Sequence, residues 1–478
     1  MKEARGELSR KFSNIHTGTD QFYTSGTCRL SLPPGDYRVR VYKGLEYRVE
    51  TKEIWIRPGR TQDLTVVLQR WSNLPKKGWY GADSHLHIAR PLKELNPQIS
   101  KFMQAEDIHV ANLLQWGNSK RFHNARQYAF GKDGLYHEGD YWLATGQENP
   151  RTHFLGHTLT LGAQKPINFP DGYLVYRNFW EESRRQKALS GYCHFALRRG
   201  GDDGIALDLL DNLLTVVEVV QNERGLYQTW YDALNLGFRL TPIAGTDYPC
   251  GLTAGVAPGR ERFYTHVEGP LNYESWLEGI RRGKTFVTNG PVLEFSVQGK
   301  SIGEEIVLKE GGRIPVEACV RFDPDRDSVE VVEIVENGQV VRRFPRVGKA
   351  AEIRCRFQHE VVETSWLAVR ASGKKKGEVP SPRLADVQVS PSLAHSAPIY
   401  VTLKGAPGLS AQRRAKLIAA AWLDRLDRLE KRLEEKNIRD LANYFASDGV
   451  DAETLRKSKD ALRQRIQAAK RDFHDRSR

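Results

Sequence analysis

A chain of 478 residues with 40% hydrophobic content is long enough for about three domains with full cores, which excludes a composition dominated by disorder. The 72 Lys and Arg outnumber the 59 Asp and Glu for a net charge of +13, but the excess is spread along the chain without a nucleic-acid-binding motif, so it favours a basic surface that attracts anionic small molecules over a nucleic-acid partner. Five cysteines without CxxC spacing, and no run near the ~20 apolar residues of a spanning helix, exclude a disulfide framework and a helical membrane span.

The amino terminus, Met1 to Glu7, lacks the apolar core of a signal peptide, so the chain as it stands reads as not exported. It also enters a β-type module part-way, as if an upstream strand or leader were missing, and localisation is left open. That module, residues 1–72, reads as a small β-sandwich with the turn Leu32–Asp36 and strands at Tyr37–Tyr42 and Leu64–Leu68.

A turn at Pro75–Gly78 delivers the chain to a second short strand, Trp79–His87, which ends His85-Leu86-His87. Side chains at i and i+2 point to the same face of a strand, so the two imidazoles are placed to share one metal ion. Downstream, Glu148 follows Gly146, His157 follows Gly156, His194 ends the segment from Ser190, and Asp247 lies between Gly245 and Pro249. Zn, Mn and Fe take mixed imidazole and carboxylate sets, and one carboxylate can bridge two ions. The pattern predicts a dinuclear site.

These residues resemble the PHP (polymerase and histidinol phosphatase) superfamily of metal-dependent hydrolases, in particular its CehA/McbA-type branch. The resemblance covers roughly Trp79 to Pro291 and includes the run Glu278–Pro291, which is similar to that branch's domain ending. It implies a distorted (β/α)7 barrel over residues 73–291 with ligands at the carboxyl ends of its strands. It also implies that His85, His87 and Asp247 hold one ion, that His157 and His194 hold the other, and that Glu148 bridges them. Two histidines of a third site found in many members are missing: the corresponding places read Asn112–Gly117 and Asp247-Tyr248-Pro249. Two divalent ions are expected rather than three.

Two such ions activate water, so the expected reaction is hydrolysis, with Glu148 and Asp247 in the catalytic set. The leaving group then needs a proton, for which His123, His153, Tyr248 and His266 are candidates with no choice made among them, and His153 is counted in the catalytic set. Arg121, Arg126 and Arg151, with Lys120, are candidates to bind an anionic group, and Trp116 and Tyr248 to narrow the pocket around an apolar portion of a small-molecule substrate. Asp83 reads equally as a partner orienting a liganding histidine or as a turn residue. Glu218, in the apolar run Val216–Val220, either bonds into the site or faces a lysine. His137 reads as a solvated loop residue, and His109 and His359 carry no assigned role.

Residues 292–405 read as a second β-sandwich, with strands at Val292–Val297, Val329–Val335 and Ser365–Arg370, and Lys374-Lys375-Lys376 in a solvated turn. In residues 406–478, Ile418, Trp422, Leu426, Leu429 and Leu433, then Leu455, Leu462, Ile466 and Phe473, recur at helical spacing. They predict a helical hairpin that folds back on the body or pairs with a second copy. Three functions are compatible with this sequence: a metallohydrolase of a small ester, amide or carbamate, a phosphoesterase, and a silent module binding sugar or polymer.

Overall fold

The computed structural model describes residues 23–24, 26–117, 122–152, 154–169, 173–193, 204–221, 224–225, 227–250, 257–376, 391–405, 409–435 and 452–477. The architecture is mixed α/β, with seven α-helices among the described residues. None of them is long and apolar enough to cross a membrane.

The part that positions the site is built on parallel strands. Trp79–Leu86 runs parallel to Val110–Gly117, and that strand runs parallel to Tyr141–Thr152. The chain turns back through Gly156–Leu161, which pairs antiparallel with both Tyr141–Thr152 and Leu189–Tyr192. Parallel pairing then resumes from Leu189–Tyr192 to Val216–Gln221 and on to Thr241–Ala244. Val216–Gln221 is buried at every position, as expected for a β-branched run covered on both faces. The helices Arg177–Arg185 and Tyr273–Arg281 pack on this sheet system, the latter started by a capping box between Asn272 and Ser275.

Antiparallel pairing extends the sheet beyond residue 291. Arg262–His266 pairs with Trp79–Ala82 on one side and with Thr285–Thr288 on the other, and Thr285–Thr288 pairs with Pro391–Ser396. Val292–Val297, Asp327–Glu336 and Ser365–Lys375 are strands that contain the expected segments. Val292–Val297 joins Gly312–Arg321 and Glu352–Val361 in a separate four-stranded sheet, and apolar side chains of both sheets meet in one cluster. The lysine run is solvated only in part: Lys374 and Lys376 are exposed, as expected, and Lys375 is not. Lys375 ends a strand and is buried, its ammonium 2.8 Å from Asp327 Oδ1, because a buried carboxylate there needs a cation.

The amino-terminal region departs further from its reading. Its two-stranded sheet pairs Gly35–Val41 with Glu50–Ile56, whereas Leu64–Leu68 belongs to no strand. Leu64 and Val67 are exposed and Val66 and Leu68 only half-buried, so this apolar run packs too little surface to hold a strand in place.

The carboxyl-terminal segment forms the two helices Leu409–Glu435 and Ala452–Ser477, which pack on each other. Trp422, Leu426, Leu429, Leu462, Ile466 and Phe473 are buried in the main apolar cluster of the same chain, so the stripe that suited a second copy is covered internally. Arg465 pins the pair by donating to Asp208 Oδ1 at 3.0 Å and Asp211 Oδ2 at 2.6 Å. The other oxygen of Asp208 accepts from Tyr192 Oη at 2.7 Å, which connects the helices to the strand ending one residue before Cys193. Burial lifts the Asp208 carboxyl to about 6 despite the nearby Arg465. Arg465→Ala is expected to cost about 2–3 kcal/mol in denaturant unfolding, because it strands a buried carboxylate. A loss under about 0.5 kcal/mol, the range of ordinary surface changes, would show that apolar packing alone docks the helices.

His395 marks the seam between Pro391–Ser396 and the helix Gln228–Asn235. Its ring lies 4.6 Å from Tyr227, 5.2 Å from Trp230 and 5.6 Å from Tyr231 between centroids. Nδ1 donates to Ser396 O at 2.7 Å, and Nε2 accepts from the Tyr231 hydroxyl. Burial holds this imidazole down to about 3, and His109 down to about 4. Both values lie below that of a free histidine, so each group contributes stability that is present above pH ~6.5 and is lost as pH falls toward its folded value. His395→Gln is therefore expected to flatten the fall in unfolding free energy between about pH 6.5 and 4. A variant with the wild-type slope would contradict a neutral, buried His395.

Candidate metal centre

Four segments bring their chemistry to one buried point. The ladder between Trp79–Leu86 and Val110–Gly117 shifts register between Asp83 and Leu86, and His85 and His87 emerge at this irregular strand end. Their Nε2 atoms lie 3.1 Å apart, with the rings at 82°. Asp247 approaches from the end of Thr241–Ala244, its Oδ1 3.0 Å from His87 Nε2 and 3.5 Å from His85 Nε2. Its φ of 55° is left-handed, which Asp tolerates better than most residues. The next residue is tied to the histidine segment through His87 N donating to Tyr248 O at 2.7 Å.

Glu148 lies where a register shift interrupts the pairing of Tyr141–Thr152 with Gly156–Leu161. Its two oxygens face different partners: Oε2 is 3.3 Å from His87 Nε2 and 3.8 Å from His85 Nε2, while Oε1 is 2.8 Å from His157 Nδ1. Glu148 and the first two histidines are almost wholly buried, and His157 is partly so. His87 has its remaining nitrogen, Nδ1, 3.0 Å from Leu114 O, which leaves Nε2 aimed inward. Burial alone would lower the pKa of both paired histidines. The carboxylates outweigh it, Glu218 and Asp247 holding His85 well above the ordinary range and Asp247 and Glu148 raising His87. Convergent imidazole nitrogens among carboxylates, at a buried point whose field favours positive charge, form a donor set that could hold a divalent cation. Of the expected ligands, His85, His87, Glu148, His157 and Asp247 are brought together. His194 lies outside the described residues.

Asp83 supports the geometry from below, and its role as a simple turn residue is set aside. Oδ1 accepts from the backbone N–H of His85 at 2.9 Å and of Thr246 at 3.1 Å, and Oδ2 from Thr246 Oγ1 at 2.6 Å and Gly259 N at 2.9 Å. One carboxylate thus ties the His85 and Asp247 segments together. Burial raises it to about 6, against the lowering effect of these donors.

At the rim, the Arg151 guanidinium lies over the Trp116 ring at 4.1 Å, with Nε 3.4 Å from Glu148 Oε2, and Trp116 meets His87 edge-on at 6.1 Å. Arg126 lines a cleft of about 440 Å³ with Gln115, Asn124, Tyr128, Phe130 and Pro166. The buried Arg90, which sequence reasoning missed, holds that segment to the histidine strand. Among the described residues its guanidinium donates to uncharged partners, Gln127, Asn96, Gly134 O and Thr145, and its backbone exchanges bonds with Arg126 and Tyr128.

Other candidates are placed elsewhere. The Tyr248 ring packs edge-on against Phe102 at 6.0 Å, in the cluster of Leu86, Ile88 and Met103, because an aromatic ring next to that apolar surface gains more by covering it than by facing the polar centre. His266 pairs with Trp79, six residues from His85 along the strand and so about 20 Å from the centre, too far to protonate a leaving group. His137 is exposed, as expected, but lies in the short strand Tyr136–Glu138 and stacks on Trp142 at 4.3 Å. The side chain of His123 and residues Lys120, Arg121 and His153 lie outside the described residues. The chain matches no family model and no curated protein.

Proposed function

We propose that this chain is a metal-dependent hydrolase of the PHP type that acts on a small ester, amide or carbamate. In this reading the parallel strands form a distorted (β/α)7 barrel, flanked by two small β-sandwiches and a C-terminal helical hairpin. The observation that carries it is the split orientation of Glu148, one oxygen toward the His85–His87–Asp247 group and the other toward His157. His85, His87 and Asp247 would hold one divalent ion, His157 with His194 the other, and Glu148 both. Such ions, Zn, Mn or Fe, supply a hydroxide-like nucleophile near neutral pH and stabilise the oxyanion that forms.

The protein's own groups do the rest. Asp83 keeps the ligand-bearing segments in register, Trp116 offers an apolar face beside His87, and Arg151 presents a guanidinium to an anionic part of the substrate. His153 is kept among the candidates to protonate the leaving group, and Arg121 and Arg126 among those to attract an anionic substrate. The full chain loaded with Zn or Mn is expected to turn over an aryl ester or carbamate in a screen that also contains phosphoesters, and to lose that activity to a chelator.

A phosphoesterase is the second reading, favoured by Arg151 beside Glu148. Under it, phosphoesters win the screen, and Arg151→Ala lowers kcat/KM for them by about 10–100-fold, the value of a hydrogen bond to a charged group. A chain loaded with either ion that hydrolyses none of the three classes would contradict both readings.

A further inference from the structure

His85, Cys193 and Glu218 gather within 4.8 Å of one another, which looks like another place for an ion. The surroundings of the carboxylate indicate a different use. Glu218 Oε1 accepts from Ser84 Oγ at 2.8 Å, and Oε2 accepts from Gln221 Nε2 at 3.2 Å and lies 3.3 Å from His85 Nδ1. Each oxygen already has a donor, and the imidazole takes a remaining lone-pair direction with its N–H. Glu218 stands in the buried strand Val216–Gln221, where an unpaired carboxylate would cost several kcal/mol. The neighbouring strand end leaves room for it at Gly245. A Cβ there would fall 2.5 Å from His85 Cβ and 2.7 Å from both Glu218 Oε1 and Ser84 Oγ.

We propose that Glu218 is a positioning residue for the metal centre: it fixes His85 as the Nδ1-protonated tautomer, aims Nε2 at the ion, and makes His85 a stronger ligand than His87. The asymmetry lies in the acceptors. His87 Nδ1 faces the neutral carbonyl of Leu114, whereas His85 Nδ1 faces a carboxylate, which raises the basicity of the liganding nitrogen. The inference rests on reading the centre as ion-binding.

The test is a Zn(II) titration of the full chain against a chromophoric chelator, for wild type and Glu218→Gln, with thermal unfolding of both metal-free proteins. Glu218→Gln keeps the volume and one acceptor but removes the charge, so Zn affinity is expected to fall about 10–100-fold while metal-free unfolding changes little. Unchanged Zn affinity overturns the proposal and leaves the metal centre intact. So does a loss of metal-free stability in a variant whose folded fraction binds Zn as wild type does. A wild type that takes up no ion overturns both this inference and the functional reading beneath it. Nitrogen NMR of the Zn-loaded wild type needs no variant that folds: His85 is expected to carry its proton on Nδ1 and the ion on Nε2, and the reverse arrangement overturns the proposal.

Discussion

Glu148→Ala is expected to abolish hydrolysis and to weaken ion binding by more than about 100-fold, the upper range for removing a mere outer partner of a metal ligand. The size follows from position. Glu148 is a side chain whose two oxygens face different histidine groups, so under the proposed dinuclear reading its loss would take a ligand from each ion and leave His85, His87 and His157 with less negative charge beside them. Stability gives a second readout. Wild type at a free ion concentration 100 times its Kd gains about 2.7 kcal/mol over the metal-free chain, and this gain should vanish in Glu148→Ala under the same conditions. A variant with wild-type turnover, or with an undiminished ion-dependent rise in Tm, would remove Glu148 from the centre.

Changes at Asp83 are expected to be the most destabilising of any single site here. Its two oxygens accept from four buried donors, three of them on the segments carrying His85 and Asp247. Asp83→Ala leaves those donors unpaired and should cost about 3–5 kcal/mol, at the extreme of single-residue effects. Asp83→Asn tests the mechanism more sharply. It preserves shape, but its amide nitrogen must face a donor on one side, so it is expected to lose ion affinity although no ligand changes. Equilibrium unfolding of the metal-free chains, followed by ion titration, separates the two effects. If Asp83→Asn matched wild type in both, the carboxylate would be a turn residue after all.

Much of the cluster was legible in the sequence, because imidazole and carboxylate residues that could share an ion stand out by type and spacing. His85 and His87 at i and i+2, and Glu148 and His157 beside Gly, are brought together as the residue pattern suggested. Residues whose role depends on direction were not legible. Tyr248 is adjacent to Asp247 yet turns its ring to Phe102, and His266 sits on the right sheet at the wrong end, a consequence of antiparallel register that spacing cannot reveal. The same holds for the fold. The strands of Val292–Val297 and Asp327–Glu336 follow from period-two alternation and β-branched runs. By contrast, Leu64–Leu68 has the composition of a strand and belongs to no ladder, while Glu50–Ile56, with three charged residues in seven, pairs with Gly35–Val41 instead. Lys375 shows the same limit: a triple lysine reads as solvated until Asp327, 48 positions away in the chain, appears beside it.

Metal content per chain, measured by elemental analysis of the full-length protein after reconstitution with Zn or Mn and removal of unbound ion, tests the central claim most directly. About two ions per chain is the result this account predicts, with the same ions removed by a strong chelator. A chain that retains neither metal would contradict it and would leave the cluster of His85, His87, Glu148, His157 and Asp247 without a cation to hold it.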